Sequence, residues 1–254
     1  MAQVKETAVV YSQEELAPEI FSRSITTETA KEAKPGQFIS VYSKDGSRLL
    51  PRPISICEAD PEEGRLRIVY RIAGAGTKEF SSFESGDPID IMGPLGNGFP
   101  QEGENVFLIG GGIGIPPMLE LAKNLNCEKQ MILGYRDGNL FLRDEFEAYG
   151  EVFVATEDGS TGTKGNVLDA IRENGLTADV MYACGPTPML RALKQYAMEH
   201  NIRCYISLEE KMACGIGACL ACVCQSSEVD HHSNVHNKRI CKDGPVFLAQ
   251  EVDL

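Results

Sequence analysis

The chain has 254 residues, and its 43% hydrophobic and 24% charged content predicts a globular protein with enough length for about two domains. Its formal net charge of −13 disfavours nucleic acid and anionic membrane surfaces as partners. The sequence shows no apolar run that could span a bilayer and no N-terminal targeting pattern, and its nine cysteines lie mostly in a metal-like group, so we expect a cytoplasmic protein.

The first hundred residues are rich in short strand patterns. Residues 37–42 and 66–72 mix apolar and β-branched side chains, and Pro-Gly, Asp-Gly and Glu-Gly turn signals separate such segments. Several short strands at this spacing predict a closed antiparallel β-barrel over residues 1–101.

Three motifs within this barrel could bind a phosphorylated cofactor. Arg52, fixed beside a proline, could clamp a phosphate, and Ser55 could offer a hydroxyl to a ring nitrogen. Residues 70–71 place an aromatic face beside a second cation, and residues 76–77 open a helical pattern whose N–H groups could hold phosphate. Each motif alone also fits a structural role, so it is their co-occurrence that favours binding.

Residues 102–203 alternate between strand-like and helix-like patterns. This alternation predicts a parallel sheet with right-handed crossovers. Strands are predicted at 106–109, 130–135, 151–156 and 180–183, and helices after Pro116-Pro117, at Val167–Glu173, and after Thr187-Pro188 with Thr187 as the N-cap.

A glycine-rich turn, Gly110–Gly114, follows the first of these strands and opens a helix. Bare backbone there lets a pyrophosphate approach, and a helix N-terminus favours anions. The turn would also fit a simple strand-to-helix connection, but its place in a strand–turn–helix unit favours a nucleotide.

The choice between NAD and NADP stays open, because Asp137 could accept from a ribose hydroxyl whereas Arg136 could favour a 2′-phosphate.

Four cysteines near the C-terminus carry the most specific signal. Cys214, Cys219 and Cys222 have the C-x4-C-x2-C spacing of plant-type [2Fe–2S] proteins, and Cys241 lies further along the chain as a fourth thiolate. Two glycines in the four-residue gap would let the backbone fold closely around a cluster and direct N–H groups at its sulfurs.

Other metal chemistry was weighed at this segment. Structural zinc also takes four thiolates, but usually from paired short knuckles, and only one such pair precedes Cys241. Cys224 does not match the cluster spacing and is interpreted as a bystander thiol. His231, His232 and His236 could suggest a Rieske-type site, but they lack Cys-x-His pairing, so a solvated His-rich loop is favoured.

Taken together, the motifs resemble a known superfamily. Arg52-Pro-x-Ser55, Gly93-Pro-Leu-Gly96, the Gly110–Gly114 turn and Cys184-Gly-Pro186 are similar to motifs of the ferredoxin–NADP reductase superfamily over residues 1 to about 200. The tail, from Glu209-Glu-Lys-Met-Ala-Cys to Cys241-Lys-Asp-Gly-Pro-Val-Phe, resembles the electron-transfer subunits of NAD-linked, two-subunit dihydroorotate dehydrogenases. The resemblance implies a multidomain fold with an FAD-binding antiparallel β-barrel domain (1–101), an NAD-binding α/β parallel-sheet domain (102–203) and a small [2Fe–2S] module (204–254).

The resemblance also implies a site for each cofactor. The residues implied for FAD, with Ser55 near the reactive flavin nitrogen, are Arg52, Pro53, Ile54, Ser55, Val69, Tyr70, Arg71, Gly76 and Thr77. Those implied for NAD are Gly110, Gly111, Gly112, Gly114, Cys184, Gly185 and Pro186. The cluster ligands would be Cys214, Cys219, Cys222 and Cys241.

A route for electrons follows from the same resemblance. A separate FMN subunit would oxidise dihydroorotate to orotate in pyrimidine biosynthesis, and electrons would pass through the cluster to FAD and on to NAD+. This chain has no TIM-barrel pattern, so the substrate would bind to the partner, in a heterotetramer of two copies of each subunit. The alternatives are a reductase subunit of a hydrogenase, sulfite reductase or flavin-based transhydrogenase, and a non-catalytic zinc-binding module.

Overall fold

The structure, a computed structural model, describes residues 4–227, 229 and 235–254. In this part of the chain the strands are β1 (Val4–Ala17), β2 (Ile20–Thr26), β3 (Phe38–Val41), β4 (Arg52–Asp60), β5 (Arg65–Arg71), β6 (Pro88–Leu95), β7 (Asn105–Gly111), β8 (Glu128–Tyr135), β9 (Glu151–Thr156), β10 (Thr163–Lys164), β11 (Val180–Cys184), β12 (Arg203–Ser207), β13 (Val223–Gln225), β14 (Asn237–Arg239) and β15 (Val246–Leu248). The helices are α1 (Ala75–Phe80), α2 (Pro116–Asn124), α3 (Arg143–Phe146), α4 (Val167–Glu173) and α5 (Thr187–Glu199). Among these described helices, none is long and apolar enough to cross a membrane.

The first six strands form a closed antiparallel barrel in the order β1-β2-β5-β4-β3-β6, which confirms the predicted barrel. Side chains alternate between its inside and its outside, so that Ile39, Ile68 and Ile91 are fully buried in its core. α1 follows β5 directly, and its last residue, Phe80, packs into the same core. The barrel therefore holds the end of β5 and the start of α1 in one fixed arrangement.

The second sheet has the order β10-β9-β8-β7-β11-β12-β15, and it is parallel except for β15, which confirms the predicted parallel sheet. Strand order changes direction between β7 and β11, where α/β proteins usually bind their ligands. The sheet also takes β12 and β15 from the C-terminal part of the chain. The domain boundaries after residues 101 and 203 stay predictions.

One local prediction was wrong. α5 begins at Thr187, so Thr187 is its first helical residue and Pro186 occupies the N-cap position. The first turn closes because Leu190 N–H donates to the carbonyl oxygen of Pro186 at 3.1 Å. The side chain of Pro186 makes no capping hydrogen bond. Its ring fixes φ, and its extended ψ sets the direction in which the chain enters the helix.

The C-terminal segment is anchored to the barrel through the Gly93-Pro-Leu-Gly96 region. Asn97 N–H donates to Gly244 O at 2.7 Å, and the Asn97 side-chain amide donates to the carbonyl oxygens of Lys242 and Asp243. Gly96 has φ +75, and a Cβ there would lie 2.4 Å from Pro245 Cδ. Only glycine fits this contact without displacing the segment that follows Cys241.

Candidate functional site

A cleft of about 530 Å³ lies against the barrel at the ends of β4 and β5. Its barrel wall contains every residue predicted for FAD except Gly76, namely Arg52, Pro53, Ile54, Ser55, Val69, Tyr70, Arg71 and Thr77. Gly76 lies beside this wall, and a Cβ there would come 2.7 Å from Arg52 Nε. A larger cavity of about 810 Å³ borders Gly98, Tyr205 and Lys238, but none of the predicted site residues lines it.

Arg52 brings a half-buried cation to the cleft. Its guanidinium donates to the carbonyl oxygen of Leu50 and packs over Gly76. In the described part of the chain no carboxylate forms an ion pair with Arg52, whereas Arg48 nearby pairs with Glu79. The remaining N–H groups of Arg52 can therefore serve a phosphate.

Tyr70 is held rigidly at the cleft by the barrel core. Its ring stacks on Phe21 with centroids 5.9 Å apart, and its hydroxyl donates to Gln13 Oε1 at 2.9 Å. Arg23, fully buried, donates to the same hydroxyl at 3.2 Å and also to the carbonyl oxygen of Phe80 at the end of α1. Burial raises the pKa of Tyr70 to about 12, so the hydroxyl stays protonated at neutral pH. Sequence reasoning missed Arg23, although a charge inside an apolar strand pattern was the available signal.

Thr77 closes the turn that opens α1. Its Oγ1 accepts from Ala73 N–H at 2.8 Å and from Gly74 N–H at 3.2 Å, and donates to Gly74 O. The hydroxyl is thus used locally, as in a capping box, and it fixes the backbone where a pyrophosphate was predicted.

The glycine turn and the Cys184-Gly-Pro186 turn meet at the switch point of the parallel sheet. Gly110 and Cys184 are register partners at the carboxyl ends of β7 and β11. A Cβ at Gly114 would lie 2.4 Å from Cys184 O, so the two turns touch through their backbones. Gly112, with φ +53, has open space around its Cα, and the structure thus brings the predicted NAD residues together.

Cys184 itself is fully buried, and burial raises the pKa of its thiol well above the usual range. The side chain is therefore a neutral thiol at physiological pH. Its strand neighbour Ser207 lines the cleft at the barrel that contains the predicted FAD residues, as does Ile113 of the glycine turn. The two predicted sites consequently share a border.

Gly114→Ala is expected to disturb NAD binding without affecting the flavin. The new methyl group would overlap a backbone carbonyl that cannot rotate away, so the turns must separate at a cost of about 1–3 kcal/mol. We expect the KM for NADH to rise several-fold with flavin content unchanged. Gly46→Ala is the control, because a Cβ there meets no atom within 4 Å. An unchanged KM in Gly114→Ala would contradict this contact's role.

The four predicted cluster ligands lie together in the loop between β12 and β13 and just after β14. Backbone N–H groups point at their sulfurs: Gly217 donates to Cys241 Sγ at 3.1 Å, Ala218 to Cys214 Sγ at 3.3 Å, and Cys241 to Cys222 Sγ at 3.4 Å. This is the hydrogen-bond environment that iron–sulfur clusters use.

The thiol of Cys214 is hydrogen-bonded with that of Cys219, and the thiol of Cys241 is hydrogen-bonded with that of Cys222 and also lies near Cys214. Burial opposes ionisation of Cys214, but hydrogen bonds from Ile216 N–H and the Cys219 thiol lower its pKa to about 6. Burial and the hydrogen bond with Cys222 raise the pKa of Cys241 to about 12. Within the described residues no three His, Cys, Asp or Glu side chains converge on a point that would hold one metal ion. Two pairs of thiols suit the two irons of a [2Fe–2S] cluster.

A further cysteine of the module, Cys224, lies outside this arrangement. Cys224 sits on β13 opposite Lys238, and its thiol donates to Lys238 O at 3.5 Å. His236 belongs to the described residues, whereas His231 and His232, and with them most of the predicted His-rich loop, lie outside them. All nine cysteines fall within the described residues, and each is a free thiol.

One wall of the flavin cleft comes from the segment that leads into the cluster loop, and sequence reasoning did not assign it. This wall consists of Ser207, Leu208, Glu209, Glu210, Lys211 and Met212, with Pro245 beside it. Glu209 is exposed to solvent at the edge of this wall, where the charge of Arg71 favours its ionised form. The tail motif begins at Glu209, which was the signal available for this wall.

Family models match two parts of the chain. Residues 209–253 match the iron–sulfur cluster binding domain of dihydroorotate dehydrogenase B, and residues 108–195 match the oxidoreductase NAD-binding domain. Among curated relatives, the electron transfer subunit of dihydroorotate dehydrogenase B (NAD(+)) from Caldanaerobacter subterraneus is 45% identical over 250 residues, which is 98% of each chain. The subunit of the same name from Bacillus caldolyticus is 43% identical over 98% of this chain and 99% of its own.

Solved structures show the same architecture. A chain from the NADH-dependent reduced ferredoxin–NADP oxidoreductase, described for flavin-based electron bifurcation, superimposes with a TM-score of 0.88 at 33% identity, covering 98% of this chain and 90% of that one. A ferredoxin NADP+ reductase from Neisseria gonorrhoeae with bound FAD and NADP gives a TM-score of 0.65 at 17% identity, over 77% and 91% of the two chains. At that identity the second likeness shows the fold alone.

Proposed function

This chain belongs to the family of electron-transfer subunits of NAD-linked dihydroorotate dehydrogenase B, and from that membership we propose how it works. It carries electrons from a partner subunit that oxidises dihydroorotate, through a [2Fe–2S] cluster and FAD, to NAD+. It is thus an oxidoreductase subunit of pyrimidine biosynthesis, and dihydroorotate itself binds to the FMN-containing partner.

A single observation carries this proposal: the predicted flavin residues, one residue of the glycine turn and the segment that leads into the cluster loop line one cleft. The cleft is walled by the Arg52–Ser55 strand of the barrel, by Ile113 of the glycine turn, and by residues 207–212, which lead directly into Cys214. A carrier that links a two-electron donor or acceptor to a one-electron cluster needs this proximity. FAD, when bound, would supply that link, because a flavin exchanges hydride with a nicotinamide and single electrons with a cluster.

The barrel residues bind and orient the flavin in this proposal. Arg52 clamps a phosphate, Gly76-Thr77 form the turn beside the pyrophosphate, and Tyr70 presents an aromatic ring fixed by the barrel core. Ser55, with Pro53, Ile54, Val69 and Arg71, completes the wall near the reacting ring.

The glycine turn and the Cys184-Gly-Pro186 turn hold the nicotinamide nucleotide. The bare backbone of Gly112, which has open space around it, would admit the pyrophosphate, whereas Gly114 and Gly185 let the two turns pack closely, Gly185 against Gly111. NAD rather than NADP is proposed because the curated relatives are named for NAD(+). Asp137, which could meet the ribose, also accepts from the N–H and side-chain amide of Asn139.

The cluster loop delivers electrons at a surface. Cys214, Cys219, Cys222 and Cys241 would supply the thiolates to a cluster, and the N–H groups of Gly217, Ala218 and Cys241, which donate to three of these sulfurs, would raise its reduction potential. Cys219 lies at an exposed position, so a partner subunit can approach closely. We place the complex, two copies of each subunit, in the cytoplasm, where nine free thiols stay reduced.

Anaerobic titration of the purified chain tests the proposal. Addition of NADH should bleach flavin and iron–sulfur absorbance together, and NADPH should do so far less effectively. A colourless protein with bound zinc would overturn it in favour of a binding module.

A reductase subunit of a bifurcating oxidoreductase is the second candidate, favoured by the 33% identical solved structure. Reduction by dihydroorotate in the presence of the partner subunit supports the first candidate, and its absence supports the second.

A further inference from the structure

Glu120 is a buried carboxyl group that lies between two of the proposed sites and belongs to neither. Its side chain is 4% exposed. One oxygen, Oε2, accepts from the backbone N–H of Ala59 at 3.0 Å, and the other, Oε1, accepts from the side-chain amide of Asn124 at 2.9 Å. Burial raises the pKa of Glu120, and these donors, with Lys123, oppose the shift. A buried acceptor with partners on both oxygens is costly to remove.

The hydrogen-bond partner of Glu120 on the barrel is the backbone N–H of Ala59 in β4. On the side of β4 where β3 pairs, no strand of the described residues lies opposite Ala59. β3 pairs with β4 only from Arg52 to Ser55, and β4 runs on to Asp60 past the end of β3. A bulge near Ile56–Glu58 interrupts the pairing of β4 with β5 just before Ala59. The carboxylate of Glu120 therefore accepts the hydrogen bond from Ala59 N–H that a neighbouring strand would otherwise accept.

The two elements that Glu120 joins start at the two proposed binding sites. β4 begins with the Arg52–Ser55 flavin motif. The last residue of this motif, Ser55, lies about 13 Å along the strand from Ala59 at about 3.3 Å per residue. α2 begins at Pro116, just after the Gly110–Gly114 turn, and Pro116 lies about 6 Å along the helix from Glu120 at about 1.5 Å per residue. α2 also packs directly against β4. The buried hydrogen bond from Ala59 to Glu120 thus ties the helix of the nucleotide turn to the strand of the flavin motif, beside a longer and more exposed ion pair between Lys123 and Glu58 at 4.0 Å.

A second link between the same domains is weaker. Arg67 on β5 donates to both carboxylate oxygens of Glu145 on α3, at 2.5 Å and 3.0 Å, and the Arg67 side chain is 15% exposed whereas the Glu145 side chain is 42% exposed. Water screens the Glu145 end of this pair, so it contributes less than a fully buried contact. Glu145 therefore offers a matched control: it crosses the same domain joint without being buried in it.

We propose that Glu120 is a positioning residue that sets the distance between the nicotinamide and flavin sites by holding α2 against β4. This role rests on the proposed function, since it concerns transfer between NADH and the flavin. Loss of the hydrogen bond lets α2 shift relative to β4. When a distant mutation misplaces the reacting groups by about 1 Å, the rate can fall by up to about a hundredfold.

The test uses the full chain with flavin and cluster bound, and compares Glu120→Ala, Glu120→Gln and Glu145→Gln with the wild type. Anaerobic stopped-flow absorbance gives the limiting rate of flavin reduction at saturating NADH and the NADH concentration for half-saturation. We expect Glu120→Ala to lower the limiting rate about tenfold or more with flavin content unchanged. Glu120→Gln keeps an acceptor oxygen for Ala59, while Asn124 can rotate its amide, so its rate should stay within about threefold of the wild type. Glu145→Gln should behave as the wild type.

The outcomes separate the positioning role from the proposed function. A wild-type limiting rate in Glu120→Ala, or an equal loss in Glu120→Ala and Glu145→Gln, overturns the positioning role. If Glu120→Ala does not fold, Glu120→Asp decides, because its shorter side chain cannot span to Ala59; a wild-type limiting rate there overturns the role. A wild-type flavin that NADH does not reduce would instead count against the proposed function.

Discussion

The Cys219→Ser variant should lose its iron–sulfur cluster and keep its FAD. Thiolates are the ligands of such clusters, and a serine hydroxyl is neither soft nor ionised at neutral pH. Cys219 pairs with Cys214 in an exposed loop, whereas the flavin cleft is lined by other residues, from Phe38 to Pro245. Iron and acid-labile sulfide per chain should fall close to zero, while flavin released by denaturation stays at the wild-type ratio.

Cys224→Ser is the matched control, because Cys224 lies two residues beyond Cys222 but bonds to Lys238 O on the neighbouring strand. It should retain iron, sulfide and flavin. Reduction of the flavin by NADH should survive in Cys219→Ser, whereas electron transfer with the partner subunit should stop. Wild-type iron in Cys219→Ser would contradict the ligand assignment, and equal loss of flavin would contradict independent sites.

The strands of the barrel and the alternating strands and helices were predictable because their signals are local. Turn residues and β-branched runs marked the strands near residues 37–42 and 66–72, and the helix at Val167–Glu173 was predicted at its observed bounds. β15 could not be found this way. It has three residues, and it becomes a strand only because Tyr205, Ile206 and Ser207 of β12 pair with it. Pairing between segments about 40 residues apart leaves no pattern in either segment alone.

The site was predictable to the extent that its residues lie in motifs. Arg52, Ser55 and the cysteines have spacings that chemistry constrains, and the structure places them in the cleft and the cluster loop. The wall from Ser207 to Met212 was not predicted, because it reaches the cleft only through the parallel pairing of β12 with β11. Glu120 and Arg23 share this limit, since a sequence does not say which partner a buried charge will meet.

Arg52→Ala should weaken FAD binding more than any other single change in the cleft wall. Arg52 forms no ion pair with a carboxylate among the described residues, so its charge is available to the phosphates that we assign to it. Removal of a charged hydrogen bond costs about 1.5–3 kcal/mol. That loss corresponds to a roughly ten- to hundredfold rise in the Kd for FAD. Equilibrium dialysis or recovery of flavin fluorescence on dilution measures it.

Two further arginine variants separate charge from geometry. Arg52→Lys keeps the cation but loses the planar, two-pronged donor, so its Kd should lie between those of the wild type and Arg52→Ala. Arg65→Ala removes an arginine that pairs with Glu63 on the barrel surface away from the cleft, and it should bind FAD as the wild type does. If Arg52→Ala retains full flavin after dilution, Arg52 does not hold the phosphate. If Arg52→Lys matches the wild type, the site needs only a positive charge, and the planar guanidinium contributes no specificity.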